Sequence, residues 1–203
     1  MAVQHLTTAE RRRREILVSA VDCFRRAGFH QTSMQDICAA AQMSPGTLYR
    51  YFASKDDLIV ALVEEELARA FVYFDRIERA DDLLTAMIDE ADAMYWQVPD
   101  DGLGPLTADI AAEALRNPRI AEVCQRIEQA CLARMGEVLK RGQQRGQVDP
   151  ELDLMAAARL LFAIHDGAVI RQTFANTSDG AVAKATARRL LVRFLRPATL
   201  PTL

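Results

Sequence analysis

The stretch Met43-Ser44-Pro45-Gly46-Thr47-Leu48-Tyr49-Arg50-Tyr51-Phe52 holds the side chains of this sequence best suited to chemistry. Ser44 and Thr47 carry hydroxyls, Tyr49 and Tyr51 carry phenols on flat rings, and Arg50 carries a fixed fork of N–H donors. Such side chains can bond to a partner outside the protein. Tyr49, Arg50 and Tyr51 are consecutive, so they cannot all be core, and some must face something outside the protein. No nucleophile–base set, phosphate-cradling loop or metal-ligand cluster accompanies them. The histidines, His5, His30 and His165, are scattered. Cys23, Cys38, Cys124 and Cys131 form no CxxC pair, so neither a disulfide framework nor a zinc site is indicated, and no cofactor is expected.

Charge narrows the partner. The net charge is −3 over 203 residues, but residues 1–55 carry eight Lys or Arg against four acids, a balance of +4 that leaves −7 on the remainder. A basic head on an acidic body points to a polyanion for the head alone. The plainer reading, a solvated basic helix, stays open on charge alone. No apolar run approaches the roughly 20 residues that span a bilayer. The polar, then basic N-terminus does not look like a signal peptide, so a cytoplasmic location is expected.

The elements that must position these residues read as helices throughout. Thr7-x-x-Glu10 is a capping box, in which each side chain satisfies the other residue's free backbone N–H, and Ile16, Leu17, Ala20, Val21 and Phe24 keep one helix face. Gly28 suits the left-handed position past the end, which predicts a first helix over 8–27. Thr32 and Ser33 are caps for a second, 33–40, whose apolar face is Met34, Ile37, Cys38 and Ala41. Ser44 caps a third, 45–51, with Pro45 at the first helical position, where its missing N–H is no loss. Two short helices joined by a tight turn make a helix-turn-helix. Further helices are predicted over 55–79, 82–97, 105–115, 118–141, 152–175 and 179–195, with Gly142, Gly146 and Pro150 marking a loop. The last two are apolar around much of their circumference, which predicts burial on two sides and a homodimer interface.

The segment TSMQDICAAAQMSPGTLYRYFASKDDLIVAL resembles the DNA-binding domain of the TetR family of transcriptional regulators. Thr32, Ser33, Ile37, Ser44, Gly46, Thr47, Leu48, Tyr49, Tyr51, Phe52, Lys55 and Leu58 fall in the family's register, and Phe24 and Gly28-Phe29 fit upstream. The match covers about residues 10–63; beyond residue 80 the likeness is architectural, with Asp166-Gly167 as a late marker. Gln42 stands where the family usually has glycine, so a positive φ there would carry strain of about 1 kcal/mol. The resemblance implies an all-α fold of about nine helices. Residues 1–54 would form the helix-turn-helix domain, 55–80 a connecting helix, and 81–203 an effector-binding and dimerisation domain.

It implies, too, a ligand-responsive regulator, most simply a repressor, bound as a dimer to an inverted-repeat operator and released by a small molecule of unknown identity. Pro45, Gly46, Thr47, Tyr49 and Arg50 would approach bases from a helix started by Ser44, with Arg50 on guanine or on a phosphate. Tyr51 and Lys55 would clamp phosphates, and Thr32 or Ser33 would add phosphate contacts at the start of the second helix. Arg11 to Arg14 would graze the duplex or stay solvated. Met87, Met94, Tyr95, Trp96, Phe162, His165 and Asp166 are the candidate effector-pocket residues, against the alternative that they are ordinary core. An activator, an effector-independent DNA-binding protein and an all-helical enzyme remain as further readings.

Overall fold

A computed structural model describes residues 7–96, 106–172 and 180–196. Among them are nine helices and no strand. These are α1 (Thr8–Gln31), α2 (Met34–Ala40), α3 (Pro45–Tyr51), α4 (Lys55–Arg79), α5 (Leu83–Trp96), α6 (Thr107–Ala114), α7 (Pro118–Gln144), α8 (Leu154–Gln172) and α9 (Gly180–Leu195). No helix among the described residues is long and apolar enough to cross a membrane.

Local chemistry sets the starts. The Thr7 amide donates to the Glu10 carboxylate at 2.7 Å and the Glu10 amide to the Thr7 hydroxyl at 3.2 Å, so the first capping box forms as its residues dictate. Ser33 and Asp36 make a second box at the start of α2, and Ser44 caps α3 by accepting from the Thr47 amide. The Asp57 amide donates to Ser54, which starts α4 at Lys55.

Positive φ ends two elements. Gly28, at φ 76 and ψ 165, breaks α1 three residues before its end, in a region of backbone space that a side chain makes costly. Gln42, at φ 52, sits just past α2. There the Gln42 and Met43 amides return to the carbonyls of Ala39 and Cys38, the paired bonds of a Schellman turn. The strain expected at Gln42 is therefore present, about 1 kcal/mol, and the turn tolerates it.

The chain forms two compact units. One comprises residues 7–66 with 106–124, the other 67–96 with 125–172 and 180–196. In the first, α1 packs on α2 and α2 on α3. Ile16, Leu17, Phe24, Ile37, Leu48, Leu58 and Ile59 are buried there, and Phe24 meets Phe29 edge to face with ring centres 4.6 Å apart. The second unit has its core in Phe74, Ile77, Leu83, Leu84, Ile88, Leu132, Leu139, Val148, Leu161 and Leu195. Burying each such side chain contributes about 1.5–3 kcal/mol.

Gly142 corrects the sequence reading. It lies inside α7, and a Cβ there would collide with Val148 Cγ2, so the glycine permits a close approach and does not end the helix. The turn follows at Gly146, with φ 67. On α8, Ala157, Ala158, Leu161 and Val169 are buried, whereas Met155 and Leu160 are exposed; on α9, Val182 and Leu190 are exposed. Both helices thus present apolar side chains to solvent as well as to the core.

Candidate nucleic-acid interface and effector cavity

Helix α3 sorts its residues by face. Leu48 and Phe52, four apart, are buried at 0% and 3% exposure and fix the helix on its own unit. Ser44, Pro45, Gly46, Tyr49 and Arg50 are exposed, and Thr47 and Tyr51 are half-buried. The Ser44 and Thr47 hydroxyls lie 2.9 Å apart, so the cap also orients Thr47. The Arg50 guanidinium stands over the Tyr51 ring at 5.6 Å, a cation–π contact. A Cβ built on Gly46 would meet nothing within 4 Å. No internal packing demands glycine at that position.

Thr32 and Lys55, expected on phosphates, are turned inward. Thr32 is 2% exposed, with its hydroxyl 2.9 Å from the Gly28 carbonyl and 3.2 Å from that of Cys23. It is spent on closing the break in α1. The Lys55 ammonium donates to the carbonyls of Phe29, His30 and Thr32, the last at 3.1 Å. Three N–H donors meet three carbonyls, which leaves none for a phosphate. Ser33 remains exposed, but Asp36 places its own carboxylate over the start of α2. Bonds to Ser33 hold that carboxyl below its usual range, so the helix end already has an anion.

The arginine run divides as well. Arg13 stands over the Phe52 ring at 5.2 Å and 3.4 Å from Glu65, so it belongs to the packing of the unit. Arg11, Arg12 and Arg14 border an open groove with Glu15, Val18, Ser19, Ala40 at the end of α2 and the turn residues Ala41 and Gln42. Arg12 pairs with Glu15 beside it.

A feature the sequence reading missed lies within the same unit. Asn117 Nδ2 donates to Asp56 at 2.8 Å, Arg119 pairs with Asp57 at 2.5 Å, and Glu113 and Arg116 each lie 3.4 Å from His30 Nε2. The Arg119 bond holds the Asp57 carboxyl below its usual range. Partners some 60 to 85 positions apart leave no periodic signal in a single sequence.

The second unit contains a cavity of about 150 Å³. Met87, Phe162 and His165, three of the expected pocket residues, line it, with Tyr73, Phe74, Ile77, Ile88, Met135, Leu161 and Leu191 among the others. Asp166 is exposed and is not among the described lining residues. The side chains of Met94, Tyr95 and Trp96 lie outside the described residues. Burial pushes the His165 imidazole below its usual pKa, against the pull of Asp166, so it is neutral near pH 7. Cys124 is half-buried and burial raises its thiol pKa, which makes it a poor nucleophile.

With this geometry in view, comparison with known proteins gives the class. The model of bacterial regulatory proteins of the tetR family matches residues 16–62, and that of the C-terminal part of BetI-type transcriptional repressors matches residues 97–196. The chain belongs to the TetR family of bacterial transcriptional regulators. Salmonella enterica GusR, a solved structure, is 32% identical with a TM-score of 0.79, over 94% of this chain and 98% of that one. The transcriptional regulator UidR of Escherichia coli K12 is 29% identical over 161 residues, which is 79% of this chain and 81% of UidR. FadR of Bacillus subtilis, solved in complex with stearoyl-CoA, is 21% identical with a TM-score of 0.71 over 88% of this chain and 97% of that one, a likeness of fold.

Proposed function

We propose that this regulator is a homodimeric repressor that holds an inverted-repeat operator through α3 and leaves it when a small molecule fills the cavity of the second unit. The observation that carries the reading is the sorting of α3, with Leu48 and Phe52 inward and Pro45, Gly46, Tyr49 and Arg50 outward. An exposed helix start suits entry into a major groove. Gly46, which internal packing does not require, lets that helix lie close to base edges. Ser44, Thr47 and Tyr51 complete the contact surface, and Arg11, Arg12 and Arg14 face the flanking phosphates.

In this reading residues 1–54 read DNA, 55–80 connect, and 81–203 sense the effector and dimerise. Exposed Met155 and Leu160 on α8, with Val182 and Leu190 on α9, support a two-fold interface through these helices. The site of action is the cytoplasm, and we assign no catalytic residue. The effector acts through unequal affinity for two conformations. It therefore lowers DNA affinity by the same factor by which DNA lowers its own affinity, typically about 5–150-fold.

Arg50→Ala tests the base-reading role. It is expected to weaken binding about 10- to 100-fold on the best site and to relax preference at one base pair, measured on a panel of single-base-pair variants. Unchanged preference with a salt slope flattened by about one would move Arg50 onto a phosphate.

A further inference from the structure

One backbone angle in the first unit is held against its own cost. Gln42, at φ 52, is the one residue other than glycine with a positive φ among the described residues. Glycine takes that conformation freely, whereas a side chain makes it costly. The Gln42 backbone N–H serves the turn, donating to the Ala39 carbonyl at 3.2 Å. Its side chain is exposed and makes no hydrogen bond among the described residues. Nothing described inside the unit therefore calls for a carboxamide here.

That carboxamide borders an open groove suited to a nucleic-acid strand. Arg11, Arg14, Glu15 and Val18 recur at three- and four-residue spacing, so they share the face of α1 that borders the groove with Gln42. Arg12 also borders it and pairs with Glu15, which offsets that carboxylate and leaves Arg11 and Arg14 to set the sign. Arg11 is exposed and makes no ion pair among the described residues. Val18 is 40% exposed, an apolar side chain in a basic groove. A sugar–phosphate strand complements both, with anionic oxygens for the arginines and the C–H groups of its sugars for Val18. Gln42 stands two residues before Ser44, so the groove adjoins the exposed start of α3.

We propose that this groove seats the backbone of one operator strand and that the Gln42 carboxamide donates an N–H to a phosphate there, so that Gln42 places α3 on the duplex without reading a base. This rests on the DNA-binding role proposed above. A neutral donor adds affinity on every sequence but releases no counterion, so its loss leaves the salt slope unchanged, whereas loss of Arg11 flattens it. A glycine at position 42 relieves the backbone and deletes the donor at once. Stability and DNA affinity then move in opposite directions, which a purely structural role for Gln42 does not allow.

The test uses the purified full chain and duplex sites that the unaltered protein selects from random sequence. Gln42→Gly is expected to raise the melting temperature by about 2–4 °C and to weaken binding about tenfold on every site, with base preference and the slope of log K against log salt unchanged. Gln42→Glu keeps the side-chain shape and the positive φ but sets a carboxylate against the phosphate, and should weaken binding more than Gln42→Gly does. Arg11→Gln should flatten the salt slope by about one per bound chain, and an unchanged slope there overturns the groove as the strand's seat. Binding by Gln42→Gly within twofold of the unaltered protein overturns the contact, and so does relaxed preference at a single base pair, which would make Gln42 a base reader. Failure of the unaltered protein to select any common sequence would remove the DNA-binding reading itself. Selection of an inverted repeat that Gln42→Gly binds as tightly removes only the contact proposed for Gln42.

Discussion

Leu48→Ala is expected to lower the stability of the first unit by about 3 kcal/mol while leaving DNA affinity at 25 °C within about twofold. Leu48 is 0% exposed and fastens α3 to the unit beneath it, so truncation leaves a cavity as well as a lost burial term. If the unit is stable by about 5 kcal/mol, about 2 remain, and more than nine molecules in ten keep α3 docked. Affinity then hardly changes at 25 °C, but the temperature at which DNA binding fails drops by about 10 °C or more. Urea unfolding and binding isotherms at several temperatures measure both halves. A hundredfold loss of affinity at 25 °C with unchanged stability would mean that Leu48 faces DNA, contrary to its burial.

Lys55→Ala separates two accounts of one residue. Family resemblance puts Lys55 on a phosphate, whereas its ammonium donates to the carbonyls of Phe29, His30 and Thr32. Removing it leaves these acceptors at the break after Gly28 without their donor, at a cost of about 1–3 kcal/mol. The expected result is that loss of stability together with an unchanged slope of log K against log salt. A slope flattened by about one at unchanged stability would restore the phosphate clamp.

Residues that act on near neighbours were legible in the sequence. Helix α3 runs Pro45–Tyr51, as Ser44 and Pro45 predict, and α4 runs Lys55–Arg79, as its predicted range has it, because caps act within three residues. Gln42 takes the positive φ that its place after α2 requires. Long-range choices were not legible. The motif register marks Thr32 and Lys55 as functional, but nothing local says that both serve the carbonyl ends at Gly28 to Thr32. The ties from Asn117 and Arg119 to Asp56 and Asp57 depend on how distant helices meet. Met87, Phe162 and His165 stand out by residue type, whereas Ile77, Ile88 and Leu161 look like any other core until the cavity is seen between them.

The central claim is that two copies of α3 read a two-fold symmetric DNA site. Selection of double-stranded sites from random sequence by the purified protein tests it most directly. The account predicts recovery of an inverted repeat whose half-site centres lie about 34–36 Å or more apart, bound by two chains. Recovery of no common sequence, or of a single asymmetric site bound by one chain, would contradict it.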